Sequence, residues 1–143
     1  MRKLKLDHDV PPWVPDDAVF FITINCAVRG ENSLDLPEVA KPLLDGMKVY
    51  QEQQKWWIHL ALVMPDHLHM LTTLGIQYAM PKTISDWKRY WARRLGIKWQ
   101  DDFFDHRIRS EEQYVEKYDY IRLNPVRKGL VKTPEEWPYV WKR

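Results

Sequence analysis

The feature that most constrains this chain is a pair of apolar runs separated by only two residues. Residues 56–64 are W-W-I-H-L-A-L-V-M, and residues 67–74 are H-L-H-M-L-T-T-L. The first run is apolar almost throughout, which is typical of a central strand buried on both faces of a sheet. Pro65 and Asp66 suit a tight turn, because proline presets the backbone angle that such turns need. The two runs are therefore predicted to form a β-hairpin.

Further elements are predicted on both sides of this hairpin. The run 19–28 is rich in β-branched and aromatic residues and predicts a strand. Residues 37–54 carry an apolar stripe at helical spacing and predict a helix. A second helix is predicted from Thr83 or Ser85 to about Leu95, with Gly96 ending it.

The C-terminal part predicts a short strand and a third helix. The stretch D-D-F-F-D-H-R-I-R, residues 101–109, indicates a loop that leads into a short strand. Ser110 is a favourable N-cap, and acidic residues follow it in the first turn. That helix should stop near Asn124, because Pro125 disfavours helical geometry in the residue before it.

Length and element order together predict the architecture. A chain of 143 residues fits one compact domain. Residues 1–17 contain three prolines and scattered charges, so they are predicted to be an N-terminal tail, with a single domain over residues 18–143. The order β-α-β-β-α-β with a further helix predicts an α+β fold: a ferredoxin-like antiparallel sheet with helices packed on it.

Composition excludes several classes of protein. No apolar run is long enough to span a bilayer, and the first residues contain no apolar signal core, so an intracellular protein without a membrane partner is expected. A single cysteine excludes an internal disulfide and a cysteine-based zinc site. The net charge of +2 is small, but six basic residues and only one acidic residue lie within 82–98. Such clustering fits either a polyanion-binding surface or a solvated helix face.

Two histidines stand out in the hairpin, within the stretch M-P-D-H-L-H-M-L. Residues two apart on a strand share a face, so His67 and His69 are expected to project together. Two such imidazoles can share one metal ion, or they can be half-buried side chains that merely find hydrogen bonds. Two nitrogens do not complete a metal site, and hard ions such as Mg²⁺ or Mn²⁺ favour oxygen ligands.

The third helix offers such oxygens. Tyr120 and Asn124 are four residues apart, so they share one face of a helix. A helix laid on the histidine face of the sheet would bring a phenol and an amide to the same ion. Alternatively, the tyrosine-rich helix only contributes core contacts.

The combination of M-P-D-H-L-H-M-L, a basic aromatic helix, F-F-D-H-R-I-R and Y-I-R-L-N-P-V-R-K-G-L-V resembles the REP-associated tyrosine transposases. These are single-tyrosine members of the HUH nuclease group, and the resemblance extends from about Val19 to Trp141. It implies an HUH-type domain in which His67, His69 and Asn124 are metal ligands and Tyr120 is the nucleophile. One departure is Asp66, where family members often have asparagine.

The resemblance also implies an activity. It predicts a metal-dependent endonuclease and strand transferase that cleaves single-stranded DNA at hairpins through a covalent 5′-phosphotyrosine intermediate. The divalent ion would be Mg²⁺ or Mn²⁺, and the protein would be a monomer or homodimer in the bacterial cytoplasm, near the nucleoid. The residues expected to bind DNA are basic side chains of the second helix and of the segment before the third: Lys88, Arg89, Arg93, Arg94, His106, Arg107 and Arg109.

Two other functions remain open from the sequence. One is a non-enzymatic binder of structured nucleic acid that uses the same fold; turnover on a hairpin substrate would distinguish it. The other is a two-histidine phosphoesterase, which requires a second histidine motif. His8, His59 and His106 are not spaced to provide one.

Overall fold

The computed structural model describes residues 15–30 and 33–142. Most of the predicted tail therefore lies outside the described residues, and Pro15 to Asp17 are exposed ahead of the first strand. The elements in chain order are β1 (Phe20–Asn25), α1 (Pro37–Glu52), β2 (Trp56–Val63), β3 (His67–Leu74), α2 (Met80–Leu95), β4 (Phe104–Arg107), α3 (Glu111–Arg122), α4 (Asn124–Arg127), a 3-10 helix (Pro134–Glu136) and β5 (Val140–Lys142).

The five strands form one antiparallel sheet in the order β4-β1-β3-β2-β5. The predicted hairpin of β2 and β3 is confirmed, and β3 lies at the centre of the sheet. The α+β fold with helices packed on an antiparallel sheet is likewise confirmed. Ser110 caps α3, its hydroxyl accepting a hydrogen bond from the Gln113 amide at 3.1 Å.

The sheet separates two apolar cores, which give its faces their names here. On the helix-pair face, α1 and α2 cover alternate residues of the strands; this core includes Ile22, Leu68, Met70, Leu43 and Trp87. On the α3 face, the other residues of β2 and β3 pack under α3 and the C-terminal segment; this core includes Leu60, Leu62, Leu71, Ile121 and Trp137. A large apolar side chain buried in either core contributes roughly 1.5–3 kcal/mol.

Helices α1 and α2 approach each other closely at one glycine. A Cβ placed on Gly46 of α1 would overlap the Cζ2 atom of Trp91 and lie 2.9 Å from its Cε2 atom. The Trp91 ring thus occupies the space that any larger residue at this position would need. Trp87 and Trp91 are buried, whereas Tyr90 between them is exposed.

The element bounds differ from the predicted ones in ways that have physical reasons. Strand β1 ends at Asn25 rather than near Val28, and α2 begins three residues before Thr83. The early start of α2 is compatible with Pro81, because the first turn of a helix needs no backbone N–H from proline. Strand β5 was not predicted; it has three residues and is fixed by pairing with β2.

None of the helices in the described ranges combines the length and apolar character that crossing a bilayer requires.

Candidate functional site at the histidine pair

The two histidines of β3 lie side by side on the α3 face. Their ring centroids are 4.7 Å apart. The alternation along β3 places His67 and His69 on the same side as Leu71, which packs under α3. Both side chains are buried, so the pair lies beneath the surface rather than on it.

Hydrogen bonds hold both rings by the same nitrogen. The Nδ1 atom of His69 is 2.9 Å from the Thr23 hydroxyl oxygen, and the Nδ1 atom of His67 is 2.8 Å from the Asp66 carboxylate. The Nε2 atom of His69 is buried and has no hydrogen-bond partner among the described residues. A buried polar atom without a partner is costly, and a metal ion is one group that would satisfy it.

The surroundings keep both imidazoles neutral at physiological pH. Burial lowers the pKa of His69 to about 3, and the positive charges of Arg127 and Arg29 contribute to the same shift. Burial also lowers the pKa of His67, although the Asp66 carboxylate opposes that change. Neutral imidazole is the form that carries a lone pair for a metal ion.

Asp66 links the pair to a surface cation. Both carboxylate oxygens are 3.1 Å from the Arg29 guanidinium, and Oδ1 also accepts the hydrogen bond of His67. Burial is the largest single influence on this carboxyl and raises its pKa, but the bonds from His67 and Arg29 outweigh burial, and the pKa is lowered overall. Asp66 is thus ionised and can accept a hydrogen bond from the Nδ1–H of His67, which leaves Nε2 as the lone-pair nitrogen.

Tyr120 brings its phenol ring to the same place from the last turns of α3. Its ring centroid is 5.7 Å from that of His69 and 6.0 Å from that of Phe21. The Arg127 guanidinium lies 4.4 Å from the centroid of the Tyr120 ring, and Lys117 Nζ lies 5.8 Å from it. The phenol is about half exposed, so one side of it faces solvent and the other faces the histidines.

The segment after α3 stays close to the histidine pair. Asn124 is buried at the start of α4, one residue past the end of α3. The positive charge of Arg127 contributes to the low pKa of His69, and that of Lys128 contributes to the low pKa of His67. These two side chains, from α4 and the residue after it, are therefore close enough to act electrostatically on the histidine pair.

The two histidine nitrogens could hold a divalent ion only together with other donor atoms. Within residues 15–30 and 33–142, no three histidine, cysteine, aspartate or glutamate side chains converge on one point. The two Nε2 atoms of the pair would need oxygen donors such as an amide, a phosphate or water. The buried Nε2 of His69, which has no hydrogen-bond partner among the described residues, is compatible with such a site.

The chain is similar in sequence to two known proteins. No family model matches the chain. It is 29% identical over 129 residues to a REP-associated tyrosine transposase of Escherichia coli, a match that covers 84% of this chain and 73% of the relative. It is 33% identical over 95 residues to a protein of Haemophilus influenzae with the same family name; here 54% of this chain aligns with 53% of the relative.

This chain is similar in sequence to the REP-associated tyrosine transposases.

Solved structures support the same fold. A REP-associated tyrosine transposase bound to a REP hairpin superposes with a TM-score of 0.79 at 24% identity, covering 98% of this chain and 82% of that one. A transposase candidate from Deinococcus radiodurans superposes with a TM-score of 0.53 at 21% identity, covering 85% of this chain and 95% of that one. The resemblance to the REP-associated tyrosine transposases therefore extends from sequence motifs to the fold.

The residues expected to bind DNA are located in separate parts of the structure. Arg89, Arg93 and Arg94 lie on the exposed side of α2, where they line a shallow groove with Asp86 and Tyr90. Because α2 packs on the helix-pair face, this groove and the histidine pair are on opposite sides of the sheet.

Lys88 does not fit the role expected from the sequence. Its side chain is buried, and Nζ donates hydrogen bonds to the backbone carbonyls of Gln100 at 2.7 Å and Asp102 at 3.2 Å. The ammonium is occupied in holding the loop before β4 against α2. Lys88 is therefore a structural residue and is not available to a phosphate.

The three basic residues in and after β4 point in different directions. His106 pairs with Phe21 across β1 and is exposed on the α3 face. Arg107 pairs with Phe20, so it points to the helix-pair face, away from the histidine pair. Arg109 is exposed in the turn before α3. Of the three, only His106 is a strand residue on the side of Tyr120.

His59 does not supply a second histidine motif for the phosphoesterase alternative. Its ring nitrogens are 3.1 Å from the Thr73 hydroxyl and 3.4 Å from the Tyr114 hydroxyl. The imidazole is thus engaged in bonds between β2, β3 and α3.

Several site residues were not found from the sequence. Thr23 and Asp66 each hold one ring of the histidine pair, and Arg127 lies over Tyr120. Arg127 had a detectable signal, because it follows Tyr120 by seven residues, which is close to two helical turns. Thr23 had none, since its contact depends on the pairing of β1 with β3.

Proposed function

We propose that this protein is a metal-dependent single-stranded DNA endonuclease and strand transferase that acts at hairpin DNA. Tyr120 is the nucleophile, and His67, His69 and Asn124 are the metal ligands. The observation that carries the proposal is the position of the Tyr120 ring, whose centroid is 5.7 Å from that of His69. On the same face, the buried Nε2 of His69 has no hydrogen-bond partner among the described residues. The naming of the relatives as tyrosine transposases, one solved with a REP hairpin, supports the substrate class.

The chemistry follows from the position of the phenol. The Tyr120 oxygen attacks the phosphorus of a phosphodiester in line with the bond to the 3′ oxygen, and the phenolic proton passes to solvent. A bond forms between Tyr120 and the 5′ phosphate, the P–O3′ bond breaks, and the departing 3′ oxygen takes up a proton. Attack by a 3′-OH on the phosphotyrosine reverses these steps and rejoins DNA without ATP.

The surrounding residues prepare this attack. A divalent ion, when bound, would withdraw charge from the non-bridging phosphate oxygens. Asp66 and Thr23 hold the two imidazoles in fixed orientations, so that little rearrangement is needed when a ligand arrives. Arg127 and Lys117 place positive charge beside the phenol, where negative charge develops during reaction.

The decisive experiment compares Tyr120→Phe with Tyr118→Phe. Tyr118 is two residues away and stacks on Tyr114, so its variant controls for loss of a phenol on the same helix. Each protein is incubated with Mg²⁺ and a 3′-labelled single-stranded oligonucleotide that carries a hairpin, and covalent adducts are separated under denaturing conditions. We expect adducts with the wild type and Tyr118→Phe, and none with Tyr120→Phe, which still binds DNA.

Three outcomes would contradict the proposal in different ways. An adduct formed by Tyr120→Phe would mean that another residue is the nucleophile. Hairpin binding by the wild type without any adduct or turnover would favour the non-enzymatic binder. Full activity in excess chelator would remove the metal role of the histidine pair.

A further inference from the structure

Among the described residues, no helix covers the part of the sheet beside the histidine pair. On β1, the residues of the helix-pair face are buried, whereas Phe21, Thr23 and Asn25 on the α3 face are only half-buried. Opposite them on β4, Phe104 and His106 are exposed. We call these five residues the β1–β4 strip.

An exposed aromatic ring lies at the centre of this strip. Phe104 is 53% exposed, although the preceding residue, Phe103, is buried in the core of the helix-pair face. In the sheet register, Thr23 pairs with Phe104 on one side and with His69 on the other. Since neighbouring strands are about 4.8 Å apart, the Cα atoms of Phe104 and His69 are roughly 10 Å apart on one face.

The strip is continuous with the proposed catalytic groups and is bordered by cations. The Thr23 hydroxyl is hydrogen-bonded to His69 Nδ1, and the Phe21 ring contacts the rings of both His69 and Tyr120. Lys117 Nζ lies 5.4 Å from the Phe21 ring, between the strip and Tyr120. A flat apolar ring with positive charge nearby is the combination that binds single-stranded nucleic acid, with bases stacked on rings and phosphates near cations.

We infer that the β1–β4 strip is a subsite for a single-stranded nucleotide that flanks the cleaved phosphodiester, with its base stacked on Phe104. The inference rests on the proposed function, because it takes the position of the phosphate from Tyr120 and the histidine pair. A strand held there runs from the cleavage site across Thr23 toward the β4 edge. His106, on the same face of β4, is placed to contact its backbone.

The test uses binding in a protein that cannot form an adduct. In the Tyr120→Phe background, the affinity for a fluorescent single-stranded oligonucleotide is measured for Phe104→Leu and Phe104→Trp. Leucine keeps an exposed apolar side chain but removes the ring, and tryptophan keeps a ring. We expect Phe104→Leu to weaken binding by about 5- to 150-fold and Phe104→Trp to restore it.

Abasic substitutions locate the stacked base. Each nucleotide near the cleavage site is replaced in turn by an abasic sugar. One position should weaken binding to the parent protein but have no further effect on Phe104→Leu. The inference is overturned if Phe104→Leu binds as tightly as the parent. It is also overturned if the affinity lost on Phe104→Leu substitution is the same whichever nucleotide is abasic.

These readouts separate the inference from the proposed function. Adduct formation by wild-type protein, together with unchanged binding by Phe104→Leu, would remove the subsite and leave the nuclease proposal intact. Base-specific loss of binding in Phe104→Leu, without an adduct in wild type, would keep the strip as a nucleotide site and remove the cleavage.

Discussion

The guanidinium of Arg127 lies against the ring of Tyr120, 4.4 Å from its centroid, and donates a hydrogen bond to the Tyr120 carbonyl. One side chain therefore contacts both the ring and the backbone of the proposed nucleophile. It joins the end of α3 to α4 at the ring that lies beside His69.

Arg127→Ala is expected to slow adduct formation by about 3- to 30-fold, the range that corresponds to one cation–π contact. The rate is measured in single turnover at saturating DNA, so that weaker binding does not enter. Arg122→Ala is the control, because Arg122 is also at the end of α3 but pairs with Glu135 at 3.4 Å. Equal rates for the two variants would show that Arg127 does not position Tyr120.

Asp66→Ala is expected to weaken Mn²⁺ binding about 10- to 100-fold, because the orienting hydrogen bond to His67 is lost. Mn²⁺ binding to the protein without DNA is measured by electron paramagnetic resonance. Asp66→Asn should retain most of the affinity, since its amide oxygen still accepts the Nδ1–H bond. An Asp66→Ala protein that binds Mn²⁺ like the wild type would contradict the orienting role.

Arg89→Ala combined with Arg93→Ala is expected to weaken binding of hairpin DNA and to lower the slope of log affinity against log salt concentration by about 1 to 2. Because these residues are across the sheet from Tyr120, the single-turnover adduct rate at saturating DNA should be unchanged. The control is Lys41→Ala with Lys48→Ala, which removes two exposed charges from α1. An equal loss in the control would indicate a general charge effect.

Lys88→Met is expected to lower the free energy of unfolding by about 1–3 kcal/mol, because two carbonyl groups lose their donor. Urea denaturation measures the change. Lys82→Met, which removes only a surface pair with Asp86, should cost less than about 0.5 kcal/mol. A stable Lys88→Met protein with reduced hairpin affinity would restore Lys88 to the DNA-binding surface.

Gly46→Ala is expected to destabilise the fold by about 1–3 kcal/mol, although the same change in an ordinary helix stabilises it by about 1 kcal/mol. The added methyl group would overlap the Trp91 ring. Denaturation of Gly46→Ala, Trp91→Phe and the double variant tests the cause. The two changes should be less than additive in cost, because the smaller ring makes room for the methyl group.

The sequence predicts the parts of the site that lie within a single strand or helix. The period of two along β3 is enough to put His67 and His69 on one face, and the cap at Ser110 is enough to start α3. The strong apolar runs of β2 and β3 leave little choice of pairing. Those features are local, so no knowledge of distant contacts is needed to find them.

What the sequence could not predict depends on contacts between distant elements. Lys88 has the same residue type as its solvent-exposed neighbours, and only the loop carbonyls before β4 reveal that it is buried. The packing of Trp87 and Trp91 likewise decides which face of the sheet α2 covers. The separation of the α2 arginines from Tyr120 could therefore not be predicted from the sequence. Phe103 and Phe104 became distinguishable only when the register of β4 was known.

The location of α2 and Tyr120 on opposite sides of the sheet limits the shape of any DNA that contacts both. Duplex DNA is stiff over about 150 base pairs and does not fold around a domain of this size without a large energetic cost. A DNA molecule that contacts both the α2 arginines and Tyr120 would therefore need a flexible, unpaired portion between the two contacts. A hairpin stem joined to a single strand has that shape, whereas a continuous double helix does not.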